Sequence, residues 1–161
     1  MFDLILYCIG QTEPSNNFPN NNIFIESEER YYDIWKCITL TQGIWYNLLT
    51  DENEIGGTDI CEHIGYDSTL VLPGISMEIS ENLTPYKIKK DYMDSFKSIA
   101  KHLLNFSPVG MIYVLARYQS PDKEIVLGSY TLESYFSIME QNNIYANVCY
   151  IISKHPNALG L

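Results

Sequence analysis

Positive charge is almost missing from the first half of this 161-residue chain. Residues 1–82 hold Arg30 and Lys36 against fourteen Asp or Glu, a net of −12. Residues 83–161 hold eight Lys or Arg against six acids, a net of +2. A surface so short of cations cannot release counterions from phosphates, which argues against direct binding to nucleic acid. Anionic membranes are disfavoured for the same reason. No apolar run is long enough to span a bilayer. The opening run Phe2–Ile9 carries Asp3 and has no basic segment before it, so it does not read as an export signal, and the chain is expected to be cytoplasmic.

Motifs of common chemistry are missing too. There is no Gly-x-Gly-x-x-Gly and no Gly-Lys-Ser/Thr, which removes the usual phosphate cradles. Gly74-Ile75-Ser76-Met77-Glu78 lacks the second glycine of a nucleophile elbow. Cys61-Glu62-His63 is the one close group of metal-type ligands, but a structural zinc site needs four ligands, usually as two spaced pairs. The nearest further candidates, Cys37 and His102, are far along the chain. Cys61 is expected to lie in a partly exposed loop. The acids from Asp51 to Asp67 do not follow the register of a calcium loop. No catalytic residue, metal ligand or cofactor is therefore assigned. The four cysteines, Cys8, Cys37, Cys61 and Cys149, are scattered and are expected to be reduced thiols, at least three of them packed as small hydrophobes.

What is present is enough for a folded core. Apolar residues make up 46% of the chain and charged residues 19%, the proportions of a globular protein and not of a disordered one. The length suits one domain over residues 1–161. Phe2–Ile9 reads as a buried strand. Thr12–Asn22, with two prolines and five asparagines, reads as a mobile loop, and Asn22–Glu26 as a brief edge strand. Ser27 can cap a helix from about Glu28 to Leu49, whose stripe is Tyr31, Ile34, Ile38, Thr41, Trp45 and Leu48. Gly43 and the β-prone run Ile38–Thr41 leave a bent helix or two shorter elements as alternatives.

Thr69–Ile79 is β-like. A clear amphipathic helix then starts near Pro85 and ends before Pro108, with Ile88, Tyr92, Phe96, Ile99, Leu103 and Phe106 on one face and Lys89, Lys90, Asp94, Lys97 and Lys101 on the other. Val109–Tyr118 is apolar on both faces and hence a central strand. Residues 119–123 are short enough for a hairpin turn into a returning strand, Glu124–Tyr130. Thr131 caps a helix from Leu132 to about Gln141, Asn142-Asn143 stops it, and Ile144–Ser153 is a last buried strand. The order predicts an α+β fold: one mixed, mostly antiparallel sheet of about five or six strands, packed by two or three helices.

The early acids Glu28 and Glu29 have a local use at the expected helix start. Those between Asp51 and Asp67 have none, and no Lys or Arg stands beside them in sequence. Asp51, Glu52, Glu54, Asp59, Glu62 and Asp67, with Tyr66 as an aromatic anchor, are therefore the candidate contact surface for a basic partner. Trp45 and Tyr46 are anchor types beside it.

A small acidic α+β chain with such a segment resembles the bacterial immunity proteins, which neutralise toxins delivered by neighbouring cells, often basic nucleases. The resemblance rests on size, on acidity and on the Asp51–Asp67 segment; the closing strand-helix-strand, Glu124–Tyr130 through Ile151-Ile152, is compatible with it. It implies a one-to-one complex with a toxin domain whose nucleic-acid groove is blocked by carboxylates placed like phosphates. Two alternatives stand beside it: a hydrolase or metal-dependent enzyme using scattered carboxylates, and an acidic DNA mimic acting on a host DNA-binding protein.

Overall fold

A computed structural model of the chain describes residues 2–19, 22–28, 42–54, 57–64, 84–118 and 125–155. Strand β1 (Phe2–Ile9) is followed by β2 (Phe24–Glu28), β3 (Gly43–Leu49), β4 (Cys61–His63) and β5 (Thr84–Ile88). Helix α1 (Lys90–Phe106), strands β6 (Met111–Tyr118) and β7 (Ile125–Tyr130), helix α2 (Leu132–Glu140), β8 (Tyr145–Ala146) and β9 (Val148–Ser153) complete the described order. Six strands form one sheet in the order β2-β3-β1-β6-β9-β7, and β4-β5-β8 form a smaller one. In the large sheet only β7 and β9 run parallel; the other described pairs are antiparallel. The fold is α+β, with a mixed and mostly antiparallel sheet and two helices among the described residues.

Alternation along the central strands supplies two cores. Leu4, Leu6 and Cys8 of β1 join Tyr46, Leu48, Val114, Tyr150 and Ile152 in a cluster closed by Phe96, Ile99, Leu103 and Leu104 of α1 and by Tyr135 and Met139 of α2. Ile5, Tyr7 and Ile9 point the other way and pack with Trp45, Tyr113, Leu115 and Cys149 in a second buried cluster. A strand apolar on both faces belongs in the middle of a sheet, and β1 and β6 lie there side by side. Each fully buried aliphatic or phenyl side chain of α1 contributes about 2 kcal/mol by burial.

The ends of both helices follow local chemistry. Thr131 caps α2, its Oγ1 accepting from the Ser134 amide at 3.1 Å. Asn142 ends it in the left-handed region at φ 59°, with the Asn143 amide donating back to Ile138 O. At the end of α1 the buried Ser107 hydroxyl donates to Ile9 O at 2.7 Å and accepts from the Met111 amide at 3.0 Å. One side chain thus ties helix, β1 and β6 together.

Several expectations are corrected. Gly43–Leu49 is a strand and not the end of a helix, and Ser27 lies inside β2 instead of capping one. Ile44, Tyr46 and Leu48 enter the first core while Trp45 enters the second; a run this apolar fits either period, and the backbones of β1 and β2 on its two sides decide it. The middle of the expected helix lies outside the described residues, as do the β-like stretch Thr69–Ile79 and the whole of the expected hairpin turn, residues 119–123. Pro85 sits in β5, between β4 and β8, and α1 starts at Lys90. Strand β7 does not return against β6, because β9 lies between them. Gln11–Pro19 is pinned: the buried Tyr46 hydroxyl donates to Gln11 Oε1 and accepts from the Ser15 amide at 2.8 Å. The expected edge strand near residue 24 is present at the end of the large sheet.

Candidate interaction surface

The turn after β3 lies at one end of the large sheet. Leu49, the last residue of β3, is opposite Phe24 at the start of β2. Thr58 bridges Phe2 at the start of β1, and Phe2 is opposite Tyr118 at the end of β6. Residues 50–54 and 57–59 therefore cap the end at which β1 begins and β3 and β6 finish.

Within this turn the acids have different roles. Asp51 and Glu52 are exposed. Asp51 Oδ1 accepts from the Asn53 amide at 2.7 Å, a local turn bond that tightens the bend. Glu54 is folded inward: its carboxylate accepts from the Thr50 amide at 3.0 Å, the Thr50 hydroxyl at 2.6 Å and the Asp59 amide at 3.2 Å. Partial burial pushes its pKa up, but these bonds and one from the Thr58 hydroxyl outweigh burial and hold the carboxyl below its usual range. Glu54 is thus a half-buried brace within the turn, while Asp51 and Glu52 stand outward. Asp59 is exposed on the far side of the brace.

Glu62 departs from the expectation. Register places it opposite Lys87 in the β4–β5 pair, and the two side chains meet at 3.3 Å. The Lys89 amide donates to Ile60 O at 2.9 Å, so the start of α1, with exposed Lys90, sits beside Asp59. One cation of the second half, Lys87, thus meets one acid of the first, Glu62. Nothing near Glu62 in sequence signals this, because the pairing is set by strand register across a separation of 25 residues. Tyr66 and Asp67 lie outside the described residues. Trp45 and Tyr46 are buried and are removed as contact anchors.

Cys61-Glu62-His63 is a strand and not an exposed loop. Cys61 is buried, and burial drives its thiol strongly upward. His63 packs its ring against Phe2 and Tyr118, with centroids at 4.6 and 4.7 Å. Cys8 is likewise buried, its thiol pushed up to about 12 by desolvation and donating to Leu103 O. Neither thiol is activated as a nucleophile. Cys8, Cys61 and Cys149 form no disulfide and are buried, as small hydrophobes should be; Cys37 is outside the described residues. Among the described residues no group of three or more His, Cys, Asp or Glu is arranged to hold a metal ion, and no helix is long and apolar enough to cross a membrane.

No protein-family model matches this chain, and neither a curated protein nor a solved structure matches it.

Proposed function

We propose that this protein is a non-catalytic binding protein of the immunity type, which holds a basic toxin domain against the acidic turn at the end of its large sheet. The observation that carries the reading is the Glu54 brace. A carboxylate folded under its own turn fixes Asp51 and Glu52 in outward positions, so their field acts on a partner at little ordering cost. Asp59 adds a third exposed acid, while Glu62 contributes less because Lys87 compensates it. Asp51, Glu52 and Asp59 are the electrostatic contacts; Glu54 positions them. Charge complementarity of this kind raises the association rate and selects against wrong partners more than it supplies affinity.

The test is association with the product of the adjacent reading frame, measured by calorimetry at low and moderate salt. Affinity should fall roughly tenfold between about 50 and 300 mM salt. A triple charge reversal, Asp51→Lys, Glu52→Lys and Asp59→Lys, should weaken it by about a hundredfold or more, mainly through the association rate. Binding that ignores salt, or that survives the reversal, refutes the reading. So does an adjacent product that is neither basic nor toxic when expressed alone.

A further inference from the structure

The pinned segment Gln11–Pro19 is fastened at two points of different chemistry. The first is the buried Tyr46 hydroxyl, which holds Gln11 and the Ser15 amide, while Gln11 Nε2 donates to Ser15 Oγ at 2.6 Å. The second is aromatic. Phe18 packs edge-on against Tyr46 at 5.4 Å and against the imidazole of His102 at 5.0 Å, and His102 lies in turn on Phe106 at 4.5 Å. The imidazole thus touches a ring from the segment and a ring of its own helix. Its Nε2 is shut off from water and has no hydrogen-bond partner among the described residues.

We propose that the segment is a strap released by acid: protonation of His102 loosens the Phe18 fastening, while the Tyr46 fastening persists. A neutral imidazole tolerates this site, since one nitrogen can go without a donor's partner. An imidazolium has two donors, and here one of them would face rings with no acceptor and no water. Attraction of the cation to the ring faces offsets this only in part. Burial lowers the pKa of His102, as such a site should, and it is the one cause of that shift. The titratable groups around it do not compensate. Tyr46 behind Phe18 is held neutral by burial, and the Cys8 thiol, which reaches α1 from β1, stays protonated. Glu13 on the strap and Lys101 on the helix are exposed. The sign follows: the closed strap is favoured above the usual histidine value of 6.5 and is weakened as pH falls below it towards the lower closed-state value.

The experiment reads two signals on the intact chain by nuclear magnetic resonance: titration of the His102 ring, and amide exchange of Ser15 and Phe18 at pH 7.5 and 5.0, corrected for intrinsic exchange. His102 should titrate below 6.5. Protection of the Phe18 amide should drop roughly threefold or more at the lower pH, and that of Ser15 less. His102→Phe, which keeps the stack without the charge, and His102→Gln should both flatten this dependence. A His102 that titrates at or above its ordinary value overturns the proposal. So does a loss of strap protection of the same size in wild type and both variants. The ring titration is made on the wild type, so it decides even if a variant folds poorly.

Discussion

Asn147 grips the main chain of Tyr118 with both ends of its carboxamide. Its Oδ1 accepts from the Tyr118 amide at 2.9 Å and its Nδ2 donates to Tyr118 O at 2.7 Å. The side chain thereby holds the end of β6 beyond Leu115, the last of its residues paired with β9, while its own backbone turns at φ 63° between β8 and β9. Asparagine accepts that left-handed conformation more readily than other residues with a Cβ. The same position lets the chain leave the small sheet and enter the large one. Asn147→Ala should destabilise the fold by about 2–3 kcal/mol, combining two lost bonds with backbone strain. Asn147→Gly, which relieves the strain but not the lost bonds, should cost about 1 kcal/mol less. Urea unfolding of both variants checks the order; equal losses would remove strain from the account.

Gly43 is required by close approach and not by a turn. A Cβ built there would lie 2.5 Å from Cys8 O and 2.7 Å from the Tyr7 ring. Backbone cannot yield as a side-chain tip can, so Gly43→Ala should cost about 2 kcal/mol or more through a forced separation of β1 and β3. Thermal denaturation is the measurement, and a loss below about 0.5 kcal/mol would show that the sheet relaxes at no cost.

Tyr86 and Tyr135 are fully buried, and neither hydroxyl makes a well-formed hydrogen bond among the described residues. Burial pushes both phenols upward, and each is felt by the other. A buried hydroxyl without a good partner contributes little beyond its ring. Tyr86→Phe and Tyr135→Phe should therefore lie within about 1 kcal/mol of wild type, on either side. Tyr150, whose hydroxyl accepts from the Tyr145 amide at 2.9 Å, is the contrast. Tyr150→Phe should be destabilising by about 1–2 kcal/mol, because it removes a hydrogen bond accepted from a buried amide. Finding the three substitutions equivalent would contradict this.

The Glu54 brace gives the turn a pH dependence. Its carboxyl is held below the ordinary value of 4.5 in the folded chain, so its contribution is complete above that value. The contribution is lost as pH falls from there through the folded value. Proteolysis of the turn or amide exchange at Asp59 should rise over that window in wild type. Glu54→Gln, which keeps the shape without the charge, should lose most of this dependence. It should also weaken partner association without removing an exposed acid, since Asp51 and Glu52 would be less firmly placed.

Where the controlling physics is local, the sequence is explicit. The stripe of Phe96, Ile99 and Leu103 and the cap at Thr131 are read from neighbours three or four residues away, and both helices stand where those signals put them. Gly43–Leu49 fails the same treatment because Ile44, Trp45, Tyr46 and Leu48 are apolar on every face, so periodicity says nothing about their period. The start of α1 fails because Pro85 satisfies the first turn of a helix as well as it fits a strand. Of the candidate surface, the outward acids Asp51, Glu52 and Asp59 were legible. The inward Glu54 and the paired Glu62 were not, because the orientation of a carboxylate in an irregular turn is set by which amides happen to face it.

Taken alone, the sequence determined that interior strands lie within Phe2–Ile9, Val109–Tyr118 and Ile144–Ser153, since a run apolar on both faces has nowhere else to go. It also determined that acids outnumber bases in the first half. The tertiary structure alone decided which strands are neighbours, placing β9 between β6 and β7, and where the cations of the second half come to rest. Strand pairing is a contest among backbone edges distant in sequence, and it carries charges with it. The meeting of Glu62 and Lys87 is a consequence of that register, while Asp51, Glu52 and Asp59 stand exposed.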